Sequence, residues 1–308
     1  MIWRSIKNIF GKSEFGLILD WTFHCRNKWV SAYTPFLVNE MLRQFEPIVI
    51  SSQSQYNHYK KKLRYLFSFE PEWAAPRINF DPKIDCIKAV MYSDPHWQTE
   101  RRQQYFEDNN FDFVFSLYKT PFFYHFKKIP EQKFVHFPWA VPDQFIKTNE
   151  LKVRDSKVVI FGGKNSDAYD VRNWCREQSC VINFNFSGVE NKQMTDREYH
   201  SWLSKFDAIV AAGSSQPFYN LVTPKYFEIA ASGALLVGQS CEDLAPLGFN
   251  ETNSLIFEKS NFLENIDYYK RNSEQFLAVR KSGRDLVIQR HKLSDRINLI
   301  RNVLLKTN

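Results

Sequence analysis

The chain has few cysteines and no long apolar segment. Its five cysteines among 308 residues are odd in number and scattered, at Cys25, Cys86, Cys175, Cys180 and Cys241. This usage favours reduced thiols in a cytoplasmic protein over a disulfide framework. Cys175 and Cys180 have no matching second pair, so a zinc site is not expected. No apolar run reaches the ~18 residues that a spanning helix needs. The first residues also lack the apolar core and cleavage site of a signal peptide.

The overall composition is that of a soluble globular protein. Hydrophobic residues make up 44% and charged residues 24% of the chain, and 308 residues suggest two domains of ordinary size. The net charge of +7 suits polyanionic partners, anionic lipid surfaces or phosphorylated substrates. Such a charge is also common on proteins that bind none of these, so the composition alone does not select a partner.

The first 13 residues, MIWRSIKNIFGKS, predict a short basic amphipathic helix. Ile2, Ile6 and Ile9 share one face, and Trp3 and Phe10 flank it. One interpretation is an amphipathic helix that lies at the inner face of an anionic membrane. The alternatives are a helix that packs on the protein's own surface and a frayed terminus.

Apolar runs and helical patterns alternate along the chain, which predicts an α/β fold with parallel sheets. In the first half the predicted strands are 15–20, 47–50, 88–92, 111–116 and 133–137, and the predicted helices are 33–45, 54–66 and 98–107. In the second half a strand at 158–161 and a helix at 168–178 precede strands near 181–185, 207–211, 234–237 and 254–257. The proline-punctuated stretch 138–142 predicts a linker between domains 1–140 and 141–308.

Residues 223–237, TPKYFEIAASGALLV, carry the most chemical information. Thr223 is suited to cap a helix and Pro224 to occupy its first turn. Lys225 and Glu228 fall on one face, because residues three apart are neighbours on a helix. A helix N-terminus beside a lysine is an anion site, and an acid one turn later can accept hydrogen bonds from ribose hydroxyls. The segment therefore predicts a pocket for a nucleoside diphosphate.

This segment resembles the donor-site signature T/S-P-R/K-x-F-E-x-x-A-x-G-x-L-L-V of group 1 glycosyltransferases, particularly their CgeB-like branch. Every position of the signature is matched, and the resemblance extends over roughly residues 155–300. It implies the GT-B fold, with two Rossmann-like domains that face each other across a cleft. The donor would lie on the second domain and the acceptor on the first, with the final helix, 293–305, crossing back. Asn220 stands where retaining members often carry a second acid, which leaves the stereochemical outcome open.

Two turns at predicted strand ends are expected to contribute to the same donor site, the first because the resemblance places a glycine-rich turn beside the donor phosphates. Gly162, Gly163 and Lys164 follow the strand at 158–161, where glycines let a phosphate approach the backbone. Because the full G-x-G-x-x-G fingerprint is absent, a simple strand-to-helix turn is the alternative. Ser214 and Ser215 follow the strand at 207–211. The expected donor-binding residues are Gly162, Gly163, Lys164, Ser214, Thr223, Pro224, Lys225, Tyr226 and Glu228.

The expected catalytic residues lie in the first domain. Residues 92–97, YSDPHW, end a predicted strand and bring Asp94 and His96 together. Either could take the proton of an acceptor hydroxyl or lie against the donor sugar. The alternative is that Asp94 caps the next helix and His96 is a structural loop residue. Asp20, at the end of the first strand and followed by His24, is the rival candidate.

No metal is expected at this site. The D-x-D motif of the other major transferase fold is absent, and His125, His136 and His200 lack a metal-ligand spacing. Lys225 and the helix N-terminus can neutralise the leaving diphosphate instead. No cofactor is therefore expected, and the nucleotide-sugar is the substrate.

The expected function is transfer of a sugar from a nucleotide-sugar to a hydroxyl of a saccharide or lipid-linked acceptor in surface glycan synthesis. Three rivals stay open. A sugar-nucleotide epimerase would need a cluster of acids and bases, which the sequence lacks. A glycosyltransferase that modifies nucleic acid would place Lys60–Arg64, Arg101 and Arg102 on phosphates. A non-catalytic binding protein on the same fold is the third.

Overall fold

The computed structural model describes residues 13–26, 31–153, 155–164, 166–184 and 193–305. The chain divides into two compact units. The first comprises residues 34–138 with the described parts of 1–28 and 296–308, and the second comprises residues 31–33 and 139–295. The predicted amphipathic segment, residues 1–13, lies outside the described residues except for Ser13.

A parallel sheet of six strands forms the centre of the first unit, in the order β2-β1-β3-β4-β5-β6. Its strands are β1 (Phe15–Ile18), β2 (Ile48–Ile50), β3 (Tyr65–Phe69), β4 (Ile87–Tyr92), β5 (Phe113–Ser116) and β6 (Phe134–His136). The connecting helices are α1 (Trp21–Arg26), α2 (Tyr33–Phe45), α3 (Gln53–Tyr59), α4 (Thr99–Asp108) and α5 (Thr120–His125). The inner strands are apolar on both faces, as expected for a parallel sheet covered on both sides.

The predicted helix at 54–66 is wrong beyond Tyr59. After α3, residues Lys60–Lys62 form a 3₁₀ turn, and β3 then runs between β1 and β4. Leu66 and Phe67 are fully buried there. A strand buried on both faces shows an unbroken apolar run instead of alternation, so the basic, helix-like stretch before it concealed its start.

The second unit contains a parallel sheet of five strands in the order β11-β10-β9-β7-β8. Its strands are β7 (Val158–Ile160), β8 (Ile182–Asn183), β9 (Ala208–Ala211), β10 (Leu235–Gln239) and β11 (Leu255–Phe257). The helices are α6 (Asp170–Arg176), α7 (Asp196–Leu203), α8 (Pro224–Ala231), α9 (Phe262–Arg271) and α10 (Phe276–Arg290), and α11 (Leu293–Leu305) follows. From Arg296 onward α11 groups with the first unit.

Apolar clusters cover both faces of the second sheet. One contains Ile209 and Leu236 with Phe227 and Ile229 of α8, and the other contains Val210 and Val237 with Phe262 and Ile266 of α9. The alternating α/β architecture with two parallel sheets is therefore confirmed. Among the described helices, none is both long and apolar enough to cross a bilayer.

Parallel strands place their carboxyl ends at one edge of a sheet, and ligands of open α/β sheets bind there. In the second unit this edge carries the turns after β7 and β9. In the first unit it carries the segments after β1, β3 and β4. These segments contain most of the residues predicted from the sequence.

Candidate functional site

Lys225 lies against the turn that follows β7. Its Nζ donates to the carbonyl of Phe161 at 2.7 Å and stands 3.8 Å from the centroid of the Phe161 ring. Gly162 has a φ of +114°, and a Cβ at this position would fall on the Lys225 ammonium. The turn formed by Gly162 and Gly163, which we name the glycine turn, therefore requires glycine at its first position. The structure thus brings together two features that are more than sixty residues apart in sequence.

Two arginines of α6, which the sequence did not single out, also hold the glycine turn. Arg172 donates from Nη1 to the Gly163 carbonyl at 3.2 Å and from Nε to the Ala212 carbonyl at 2.7 Å. Arg176 donates to the carbonyls of both Gly162 and Gly163. Arg172 is only 5% exposed and its guanidinium lies 4.1 Å from the Tyr169 ring centroid. Three cationic side chains therefore surround one short turn.

The turn after β9 is joined to the glycine turn through Arg172 and is fixed by Gln239. The Gln239 side chain accepts from the Gly213 amide and donates to the Ser214 carbonyl, each at 2.8 Å. Ser214 is fully buried, and its Oγ accepts from the Gln216 amide. The Ser215 amide donates to Asp170 at 2.8 Å. Ser214 thus belongs to the turn that Arg172 joins to the glycine turn, and its hydroxyl already bonds within the protein.

Glu228 is buried one turn beyond Lys225 on α8, with 3% exposure. Its Oε1 accepts from the Ser31 hydroxyl at 2.6 Å and its Oε2 accepts from the Tyr199 hydroxyl at 3.2 Å. Burial raises the pKa of Glu228, whereas the two hydroxyl donors and the charge of Lys225 oppose that rise. The Ser31 and Tyr199 hydroxyls are donors of the same kind as the ribose hydroxyls that Glu228 is predicted to bind.

The other predicted donor residues occupy distinct places. Thr223 occupies the N-cap position of α8 without a side-chain capping hydrogen bond, and Pro224 lies in the first turn as predicted. Lys164 is exposed beyond the glycine turn. Tyr226 is 1% exposed and its hydroxyl donates to the Gln239 carbonyl at 3.3 Å. Its side chain is therefore part of the core, and its backbone amide donates to the Thr223 carbonyl at 3.1 Å.

The 93–97 loop, residues SDPHW after β4, carries Asp94 and His96 in the first unit. Both residues are half-buried, and burial lowers the pKa of His96, with the Asp94 charge opposing the shift. Asp94 does not cap α4, since Gln98 occupies the cap position with a φ of 48°. Two acids that the sequence did not single out, Glu70 and Glu72, lie after β3 in the same unit and are buried or nearly so.

Asp20 caps α1, because its Oδ1 accepts from the Phe23 amide at 2.8 Å. This contact supplies a structural reason for an acid at the end of β1. His24, on the same helix, is buried, and burial lowers its pKa. The Asp20 amide donates to the Ala74 carbonyl at 2.8 Å, which ties the ends of β1 and β3 together.

The part of the chain that the structure describes contains no cluster of potential metal ligands. No group of three or more histidine, cysteine, aspartate or glutamate side chains there could hold an ion. The cationic groups at the glycine turn are lysine and arginine, which are the side chains that bind phosphate oxygens directly.

Comparison with known proteins identifies the family. A family model described as glycosyl transferase-like matches residues 144–302, just over half of the chain. A search of curated protein sequences gave no significant match.

Solved structures show the same fold. A glycosyltransferase from Rickettsia africae ESF-5 is 12% identical, with a TM-score of 0.57 over 96% of this chain and 98% of its own. HepE from Anabaena in complex with UDP is 10% identical, with a TM-score of 0.61 over 95% and 99%. Sucrose-phosphate synthase from Thermosynechococcus elongatus is 10% identical, with a TM-score of 0.57 over 92% and 80%.

At such identities these structures establish only the fold, which is of the GT-B type. The family match covers the glycine turn, α8 with Lys225 and Glu228, and most of the second unit. The chain belongs to the glycosyl transferase-like family and is a glycosyltransferase.

Proposed function

We propose that the protein transfers a sugar from a nucleoside diphosphate donor to a hydroxyl group. The observation that carries this proposal is the convergence of Lys225, Arg172 and Arg176 on the glycine turn at the carboxyl edge of the second sheet. A diphosphate is the part of the donor that such a site would recognise. HepE from Anabaena, which shares the fold, has been crystallised with UDP and with UDP-glucose, which supports the same donor class.

Within this proposal three of the predicted donor residues, Lys225, Lys164 and Glu228, have a direct chemical role. Lys225 binds a diphosphate oxygen after exchanging its hydrogen bond with the Phe161 carbonyl for one with the ligand. Lys164 adds a positive charge at the exposed end of the turn. Glu228 accepts hydrogen bonds from the ribose, which would replace those from Ser31 and Tyr199. Such an exchange keeps the buried carboxylate hydrogen-bonded in both states, which a buried charge requires.

Bond cleavage leaves negative charge on the departing diphosphate. Lys225 and the first turn of α8 stabilise that charge electrostatically, and stabilisation of this kind is commonly what lowers the activation barrier most. The site residues supply it without a divalent ion, and we propose a reaction that is independent of metal. In the first unit, Asp94 or His96 acts on the acceptor hydroxyl or the donor sugar, with Asp20 as the alternative.

The acceptor that we propose is a saccharide or a lipid-linked saccharide, and the CgeB-like branch is the subgroup that we propose. A nucleic acid acceptor is disfavoured, because four of the basic residues that would contact phosphates are already paired with acids. Lys60 pairs with Asp81, Arg64 with Glu14, Arg101 with Glu72 and Arg102 with Glu70. Contact with an anionic membrane remains part of the proposal through the basic residues 1–13.

The donor site is tested by titrating nucleoside diphosphates into Lys225→Ala and Glu228→Gln by calorimetry. Loss of one charge-assisted contact typically costs ~1.5–3 kcal/mol, so each variant should bind roughly tenfold or more weakly. Lys281→Ala is the matched control, because Lys281 is an exposed lysine of the same unit that pairs with Asp285 on α10. Unchanged affinity in both site variants would overturn the proposed donor site. Product formation on DNA, with none on saccharides, would overturn the proposed acceptor class.

A further inference from the structure

We infer that Glu70 and Arg102 form a positioning pair that fixes the 93–97 loop for catalysis. The inference deepens the proposed function, since it rests on a role for Asp94 or His96. Glu70 follows β3, and Arg102 lies on α4, the helix after the loop. Each residue is only 1% exposed, so the pair is withdrawn from solvent.

Glu70 holds the first residue of the loop. Its Oε1 accepts from the Ser93 amide, and its Oε2 accepts from Arg102 at 3.1 Å. Both contacts use the ionised carboxylate as an acceptor, so both are strongest when Glu70 carries its charge. A neutral glutamine could accept only one of them in the same way.

Arg102 holds the rest of the loop. Its Nη1 donates to the Asp94 carbonyl at 2.8 Å, and its guanidinium lies 4.7 Å from the ring centroid of Trp97 and 4.9 Å from that of Tyr92. The pair therefore contacts the loop at Ser93, Asp94 and Trp97. His96 lies between these anchored positions, so its place is set by groups that do not themselves react.

The backbone around Glu70 adopts left-handed conformations that residues other than glycine rarely adopt. Glu70 and Glu72 have φ angles of 53° and 76°, and Gln98 at the end of the loop has 48°. Non-glycine residues in this region cost about 1–3 kcal/mol each and persist where surrounding contacts enforce them. The Glu70 carbonyl accepts from the amides of Ala74 and Ala75, and the Ala74 carbonyl in turn accepts from Asp20. The turn after β3 thus joins the ends of β1 and β4, which carry the predicted catalytic residues.

A buried ion pair is a costly way to hold a loop, because removing two charges from water offsets much of their attraction. Burial raises the pKa of Glu70 to about 7, and the charge of Arg102 and the Ser93 amide oppose this rise. The other charged or titratable groups that act on Glu70 or Arg102 are Asp94 and His96 on the loop, and Tyr92 at the end of β4. Glu72 acts on Tyr92 from the turn after β3. Ionisation of Glu70 near neutral pH would therefore tighten the loop as the pH rises.

The experiment compares Glu70→Gln with Glu72→Gln across pH 6 to 8. Glu72 provides the matched control, because it is a neighbouring acid on the same strained turn that pairs with Arg77 and Arg101 instead of the loop. We expect Glu70→Gln to lower kcat by roughly tenfold to a hundredfold, as small misplacements of reacting groups do, with the KM for the donor unchanged. The rise of kcat through pH 7 should be lost in Glu70→Gln and kept in Glu72→Gln.

A second variant and a spectroscopic readout keep the inference testable if Glu70→Gln folds poorly. Arg102→Lys retains the charge but loses the planar group between Trp97 and Tyr92, and should lower kcat in the same way. The NMR titration of His96 should shift in either variant and stay unchanged in Glu72→Gln. An unaltered kcat, pH profile and His96 titration would overturn the inference.

The same assays separate this inference from the proposed function. His96→Ala and Asp94→Asn with full turnover would overturn a reactive role for the loop, and the positioning role would fall with it. Reduced turnover in those variants, with normal turnover in Glu70→Gln and Arg102→Lys, would overturn the positioning role alone. Donor affinity, tested through Lys225→Ala, is independent of both outcomes.

Discussion

Gly162→Ala tests the link between the backbone of the glycine turn and the Lys225 side chain. The φ of +114° at Gly162 lies in a region that alanine rarely adopts, and the new Cβ would fall on the Lys225 ammonium. The backbone alone should cost about 1–3 kcal/mol of the free energy of unfolding. Displacing Nζ from the Phe161 carbonyl should cost up to ~1.5–3 kcal/mol more, as for other charge-assisted hydrogen bonds.

Gly213→Ala is the control on the neighbouring turn. Its φ is not in the left-handed region, and the atom nearest to a new Cβ would be the Tyr219 carbonyl oxygen at 3.6 Å. A compatible glycine-to-alanine change stabilises a protein by about 0.4–1 kcal/mol, because it restricts the unfolded chain. The two substitutions are chemically identical and should therefore act in opposite directions on the free energy of unfolding.

Urea unfolding of both variants, monitored through the unfolding transition of the second unit, measures this difference in the free energy of unfolding. Nucleoside diphosphate affinity should fall in Gly162→Ala and change little in Gly213→Ala. Repeating Gly162→Ala in a Lys225→Ala background removes the clash with the lysine and leaves the backbone cost. The coupling energy between the two sites should reach about 0.5–3 kcal/mol. If Gly162→Ala proves as stable as Gly213→Ala, the assigned geometry of the glycine turn is wrong.

Three further predictions concern pH and metals. Burial lowers the pKa of His200 to about 4, so the stability from keeping it neutral is full above pH ~6.5 and is lost as the pH falls towards 4, by about 3 kcal/mol in all. His200→Phe keeps a ring against Phe145 and should lose less stability than the unsubstituted protein in thermal melts between pH 7 and 4.5. An equal loss in the variant and the unsubstituted protein would contradict this prediction. Burial raises the pKa of Glu70 to about 7, so the stability that its neutral form contributes is full below pH ~4.5 and is lost as the pH rises through 7. The free energy of unfolding of Glu70→Gln should lack that decline. Chelation with EDTA should leave turnover unchanged, whereas abolition with rescue by Mg²⁺ or Mn²⁺ would disprove metal independence.

The donor-site helix could be predicted because its information is local. Thr223, Pro224, Lys225 and Glu228 lie within two turns, where helical spacing alone determines which side chains share a face. The strand ends at Gly162 and Ser214 could be predicted from apolar runs that stop at small residues. The fold class followed from the same alternation of strands and helices, and the structure confirms it.

The partners of these residues could not be predicted, because they come from distant parts of the chain. Ser31 reaches Glu228 from 197 positions away, and Tyr199 reaches it from the preceding helix. Arg172 and Arg176 belong to no motif, and their spacing on α6 is that of any exposed helical pair. Glu70 could not be singled out, because the predicted helix at 54–66 concealed the start of β3.

The two sheets use arginine in the same way at their carboxyl edges. Arg102, on the helix after β4, bonds the loop of its own strand at Asp94 and the segment after neighbouring β3 at Glu70. Arg172, on the helix after β7, bonds the turn of its own strand at Gly163 and the turn after neighbouring β9 at Ala212. Segments that leave a parallel sheet have carbonyls without partners in the sheet. A planar guanidinium carries several N–H donors, so it can bond two such acceptors at once. An arginine on the helix after a strand is therefore placed to fix two adjacent strand ends. Since ligands of such sheets bind at this edge, the arginines hold the chemistry-bearing loops in position while glycine, lysine and the acids remain available to act.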